Sequence, residues 1–271
     1  MKTPRESKLL VYWVLVFGIS WVSWGLLVAL SARKILTYGQ PGYMILLVVG
    51  GVAPAIAAYL STLLTERKDG IRAYNRLVFK WRLEALWYAM PLIVLLGTAF
   101  VAGGVSWLLG RGAMSLKQPW YTFFPTFAMM IVGGGLEELG WRGLALPELQ
   151  KKFRPVPATV ILGLIWVVWH VPLFFAEGVA QQELNFFWFT GSVMGHAFVL
   201  TWLFNKTRSV PLCVAYHAAA NTLAALISLP AGMDHLENAV RLLLGIILVA
   251  FCIGTKQAGP AKRLEEPGRS S

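Results

Sequence analysis

Eight apolar runs of 17 to 25 residues, at approximately 9–31, 43–64, 86–109, 125–149, 157–175, 186–204, 210–229 and 238–254, take up most of the chain. About 20 apolar residues wound as a helix, rising ~1.5 Å each, cross the ~30 Å hydrocarbon core of a bilayer. A lone open strand cannot do so, because lipid offers its backbone no hydrogen-bond partner, and the ten-residue alternation of a membrane barrel is missing. The runs therefore predict an all-α, polytopic membrane helix bundle of about eight transmembrane helices. Composition agrees: 57% of residues are apolar and 14% charged, against about 45–50% and about 25% in soluble chains. Little of the 271 residues is left over. Residues 1–271 thus read as a single integral membrane domain, multi-pass in the cell membrane with lipid as its surroundings.

The charges lie between the apolar blocks, and their net value of +11 records orientation rather than affinity for nucleic acid, since Lys and Arg are retained on the cytoplasmic side. Of the 24 basic residues, 18 fall at the N-terminus, in 67–82, in 151–154, at Lys206 and Arg208, and in the C-terminal tail. The opposite side has only Arg33, Lys34, Arg111 and Lys117, while Arg142 and Arg241 fall in or at the edge of spans. Both termini are expected to be cytoplasmic. The first run follows Lys2, Arg5 and Lys8 but is too long for the 7–15-residue core of a signal peptide, so it reads as a retained span. Residues 65–86, basic and interleaved with Ile71, Tyr74, Leu77, Val78, Phe79 and Trp81, read as an interfacial amphipathic stretch that anchors topology. The tail 255–271 reads as a disordered cytoplasmic segment. Cys213 and Cys252 lie inside apolar runs and give no disulfide framework.

A charged side chain at mid-bilayer costs at least ~2.5–3.5 kcal/mol, so each one present there is a functional hypothesis. The conspicuous set is Glu137, Glu138 and Arg142 in GGGLEELGWRG, His170 in IWVVWHVP, and His217 and Asn221 in YHAAANT. Glu138 and Arg142 are four apart, stacked for an ion pair, whereas Glu137 lies about 100° round the helix. The two carboxylates therefore suit different roles, Glu138 structural and Glu137 a general base. His217 and Asn221 share one face, and Trp166 stands beneath His170. Depth is consistent: Glu137 comes out ~20 Å and His170 ~21 Å from their cytoplasmic helix ends. Gly133, Gly134 and Gly135 suit either close helix packing or substrate access.

Taken singly, each histidine is more readily a buried hydrogen-bonded group; His196 is left in that reading, and His235 reads as part of the outer loop AGMDHLEN. A Cys213 nucleophile has weak support from its place one turn before His217. The six polar groups together favour a site. Two other classes stay open: a proton-coupled transporter, which would favour paired repeats that the sequence does not display, and a non-catalytic immunity or scaffold protein, which would tolerate loss of Glu137.

At these residues the chain resembles the CPBP family of intramembrane proteases, which includes the type II CAAX prenyl endopeptidases and bacteriocin-processing or immunity proteins. The family pattern EExxxR, FxxxH, HxxxN/D is met by Glu137, Glu138 and Arg142, by Trp166 and His170, and by His217 and Asn221. The similarity covers roughly 120–225, a protease-like core, and departs from the pattern in having Trp166 where Phe is usual. The resemblance implies an intramembrane catalytic cavity and hydrolysis of a peptide or membrane-protein substrate. It assigns Glu137 and His170 to activating water, His217 and Asn221 to stabilising the oxyanion, and Glu138 and Arg142 to support. Descriptions of the family differ on metal, and Glu137, His170 and His217 would suit Zn²⁺. There is no HExxH motif, and a metal-free site with no cofactor uses every residue, so that reading is preferred.

Overall fold

The computed structural model describes residues 4–254, with side chains from 8 to 251; the expected tail 255–271 lies outside the described residues. Helices α1 (Pro4–Ala32), α2 (Pro41–Val78) and α3 (Ala85–Leu108) match the first three apolar runs. The fourth run is α4 (Phe123–Met130), α5 (Glu137–Gly140) and α6 (Leu146–Gln150) in succession. Then come α7 (Pro155–Trp169), α8 (Phe186–Thr207), α9 (Val210–Leu226) and α10 (Met233–Gly254). The only strands among the described residues are β1 (Ser115–Leu116) and β2 (Ile227–Ser228), antiparallel with Ser115 opposite Ser228. The protein is an all-α polytopic membrane bundle, as the apolar runs predict.

Among the described residues, five helical segments are long and apolar enough to cross a membrane on those grounds alone: Lys8–Ala32, α2, α3, Pro155–Phe175 and α8. The other three expected spans fall on the interrupted α4–α6 run, on α9 with its 17 residues, and on α10, which begins with Asp234, Glu237 and Arg241. The first two fall short in length, and the third opens on charged residues.

Two departures from regular helix position the interior. The fourth run widens into π-helical turns at Ile131–Gly135 and Trp141–Ala145, on either side of the two glutamates. Such turns insert an extra residue and rotate the face that follows. The second departure is in α2, where Arg67 leaves the helical range at φ 55°. The interfacial stretch expected from 65 onward is thus a second helical segment running to Val78. It does more than lie on a surface: Tyr74 is buried, and its hydroxyl donates to the carbonyl of Leu139 at 2.6 Å.

The interior is built from large rings. Trp24, Trp141, Trp169, Tyr12, Tyr43 and Tyr216 are fully buried. Trp169 packs against Trp24 at 4.6 Å and Trp141 at 5.4 Å, and its indole donates to Ser20 Oγ at 2.7 Å. Gly140 is where α5 meets α1 and α2. A Cβ there would lie 2.5 Å from the Pro54 carbonyl oxygen and 2.5 Å from the Tyr12 hydroxyl. Outward, Val14, Val22, Leu64, Trp107 and Phe187 are exposed, as side chains facing lipid should be.

Candidate active site

The broken fourth run presents its two glutamates to different neighbours. Glu138 and Arg142 are fully buried, and Glu137 is only 7% exposed. Arg142 Nη1 donates to both Glu138 oxygens, at 2.9 and 3.1 Å, so the i,i+4 pair expected from spacing forms despite the π-helical turn. Glu138 has a second partner that spacing along one helix does not reveal: His217 Nδ1, on α9, lies 2.9 Å from its Oε1. A carboxylate accepts, so Nδ1 carries a hydrogen and the imidazole is held with Nε2 pointing away. Glu138 thereby joins Arg142 to His217.

Among the described residues Glu137 forms no ion pair within hydrogen-bond reach. Its Oε2 accepts from two indoles, Trp166 Nε1 at 2.8 Å and Trp141 Nε1 at 3.2 Å. Trp166 is the hub of the cluster. Its ring lies 6.0 Å from His170 and 5.4 Å from His217, and the Arg142 guanidinium sits 4.8 Å from its centre. Its carbonyl accepts from His170 Nδ1 at 2.8 Å. His170 follows the last residue of α7, because Pro172 has no N–H with which to continue the helix. The imidazole, 8% exposed, is thus fixed at a helix end with Nε2 available.

Gly134 sets how closely α9 approaches. A Cβ on it would stand 2.5 Å from Asn221 Nδ2 and 3.0 Å from His217 Nε2. Of the two roles open to the glycine run, this one is close packing, and it brings the Asn221 amide and the free nitrogen of His217 to one place on the π-helical backbone.

The structure thus gathers Glu137, Glu138, Arg142, His170 and His217 around Trp166 and places Asn221 beside His217. Sequence reasoning missed Trp141 as a partner of Glu137, although it stands four residues on, the same interval as Glu138 to Arg142. It also left aside a second polar cluster, in which His196 lies 3.1 Å from the Tyr216 hydroxyl and 3.1 Å from Arg241 Nη1. Arg241 also pairs with Glu237, and the cluster ties α8, α9 and α10 together. His235 belongs to α10 rather than a loop and stacks on Trp188 at 4.0 Å. Cys213 is buried, with Sγ 3.9 Å from the Leu200 carbonyl.

Among the described residues, no three His, Cys, Asp or Glu side chains are arranged to hold a metal ion. Of the three side chains considered for Zn²⁺ from the resemblance, His217 engages Glu138 through Nδ1, His170 a carbonyl through Nδ1 and Glu137 two indoles through Oε2. A cavity of about 550 Å³ opens near the far end of α9, walled by apolar residues including Leu92, Phe100, Phe123, Leu223 and Leu226. None of the six polar site residues lines it.

Fold and site define a multi-pass membrane protein with a polar, partly charged centre enclosed by apolar helices. Residues 119–223 match the model of the type II CAAX prenyl endopeptidase Rce1-like family. Over most of its length the chain is similar to CAAX prenyl protease 2 of Methanococcus maripaludis, 26% identical over 263 residues that cover 89% of this chain and 93% of the relative. Both comparisons support the resemblance to the CPBP/type II CAAX protease family that the sequence motifs carry.

Proposed function

We propose that this chain is a CAAX-type intramembrane endopeptidase in which Glu137 and His170 activate water while His217 and Asn221 hold the oxyanion. The observation that carries the reading is the split between adjacent carboxylates. Glu138 is committed to Arg142 and His217, whereas Glu137 accepts from neutral indoles through Oε2 and keeps Oε1 for the reaction.

In this mechanism a water gives one proton to Glu137 Oε1 while its second hydrogen is held by His170 Nε2. Its oxygen adds to the scissile carbonyl carbon, and the carbonyl electrons move onto oxygen. That oxyanion accepts hydrogen bonds from the Asn221 amide N–H and from the Nε2–H of a His217 imidazolium paired with Glu138; a donor so placed commonly contributes ~10²- to 10³-fold in rate. Collapse breaks the C–N bond, and the proton held by Glu137 passes to the leaving amine. The residues suffice without a metal. Zn²⁺, if bound, would fall to Glu137, His170 and His217 and supply Lewis acidity.

The test is cleavage of a quenched-fluorescent farnesylated CAAX peptide by purified protein in detergent, together with comparative peptidomics of membranes containing wild-type or Glu137→Gln protein. Glu137→Gln keeps size and hydrogen bonding but takes no proton, so near-complete loss of cleavage with an unchanged melting temperature is expected. Products in membranes that depend on Glu137 but not on prenylation would support proteolysis and reject the prenyl substrate. A Glu137→Gln protein that performs its cellular role undiminished would leave the immunity or scaffold reading in front.

A further inference from the structure

The two oxygens of Glu137 have unlike surroundings. Oε2 accepts from Trp166 at 2.8 Å and from Trp141 at 3.2 Å, and among the described residues no hydrogen bond reaches Oε1. The torsion about a Glu carboxyl is broad and nearly two-fold, so an untethered carboxylate exchanges its oxygens freely. Two N–H donors converging on one oxygen stop that exchange.

Both donors are themselves fixed. Trp141 is fully buried, 6.1 Å from Trp13 and 5.4 Å from Trp169. Trp166, 3% exposed, is hemmed in by His170, His217 and Arg142. One indole comes from the same broken helical run as Glu137 and the other from α7, so the carboxylate is held from two elements. A Phe, usual at position 166 in the family that the sequence resembles, would supply a ring there but no donor.

We infer that Trp166, acting with Trp141, is a positioning residue for the reaction: the two indoles hold Oε2 as a spectator and leave Oε1 to meet the water. The inference rests on Glu137 being the base of the proposed mechanism. A merely structural tryptophan contributes through its ring, and the clamp contributes through its N–H.

Trp166→Phe, Trp141→Phe and the double variant separate the two. Cleavage of the farnesylated CAAX peptide is measured per folded protein, with kcat and KM resolved. Losing one hydrogen bond to a charged group should lower kcat about tenfold, and losing both about 100-fold or more, with KM within about twofold, as expected of groups that act through Glu137. In parallel, protein labelled with ¹⁵N-Trp reads the indole N–H resonances of 141 and 166, assigned by the single variants. Both should move in Glu137→Gln and stay in place in Glu84→Gln, which alters an exposed residue at the start of α3. A folded Trp166→Phe protein with wild-type kcat overturns the inference, as do indole resonances indifferent to Glu137. Where a Phe variant fails to fold, the resonances of wild-type and Glu137→Gln protein decide. A wild-type protein that leaves the peptide intact counts against that substrate, and the resonances then decide the clamp independently.

Discussion

Gly134→Ala is a test of the site that adds a single methyl group and alters no polar group. The new Cβ would lie 2.5 Å from Asn221 Nδ2 and 3.0 Å from His217 Nε2. Ordinary carbon contacts begin near ~3.5 Å, so the amide must retreat by about 1 Å and the imidazole by about half that. Both are ends of side chains, so the helices can stay where they are. The two groups proposed to meet the oxyanion cannot. A misplacement of ~1 Å can cost ~10²-fold in rate, which is also the lower range for losing one oxyanion donor. We expect Gly134→Ala to lower kcat about 100-fold while its melting temperature in detergent stays within a few degrees of wild type. Gly140→Ala is the contrasting control. There the Cβ would meet the backbone carbonyl of Pro54 at 2.5 Å, and backbone cannot swing aside. It should lower folded yield and melting temperature. Peptide cleavage beside a detergent melting curve reads both. Wild-type turnover by Gly134→Ala would refute the placement of His217 and Asn221 at the oxyanion.

Arg142→Ala leaves Glu138 buried with only His217 to balance it, and breaking a buried pair in this way typically costs ~3–5 kcal/mol; folded protein in detergent should fall along with activity, and an unchanged melting temperature would move Arg142 into direct contact with substrate. For metal, exhaustive chelation should leave cleavage intact and the purified protein with substoichiometric zinc, whereas activity lost to chelator and restored by Zn²⁺ would recast Glu137, His170 and His217 as ligands. For orientation, cysteine labelling should place both termini and the loop around Arg82 on the cytoplasmic side, and labelling of either terminus from outside would overturn the reading of the basic residues.

The membrane architecture was legible in the sequence because hydrocarbon imposes one strong rule: apolar stretches of sufficient length become helices with their backbone groups paired internally. The bounds of α1, α3 and α8 follow their apolar runs closely for that reason. The Glu138–Arg142 pair was legible too, since both ends lie one turn apart on the same helical segment. Spacing also separated Glu137 from Glu138, and the separation carries through to wholly different partners.

What tertiary structure decided is everything that depends on which helix faces which. His217 and Glu138 are 79 residues apart and meet only because α9 closes on the π-helical turn at Gly134, a distance of approach set by packing. The donors to Glu137 are a Trp on its own run and a Trp on another helix, and aromatic residues in an apolar sequence give no sign of which ones turn an N–H toward a carboxylate. Residues 65–86 read as an interfacial segment by their charge, yet Tyr74 reaches the backbone of α5, because a tyrosine's apolar ring can be buried while its hydroxyl finds a carbonyl. The sequence alone determined that the chain is a membrane bundle and which polar groups it carries inward, because burial in lipid penalises each of those residues wherever it sits in a span. How those groups pair was decided by helix contacts, because a hydrogen bond depends on a few tenths of an ångström between elements that the sequence leaves far apart.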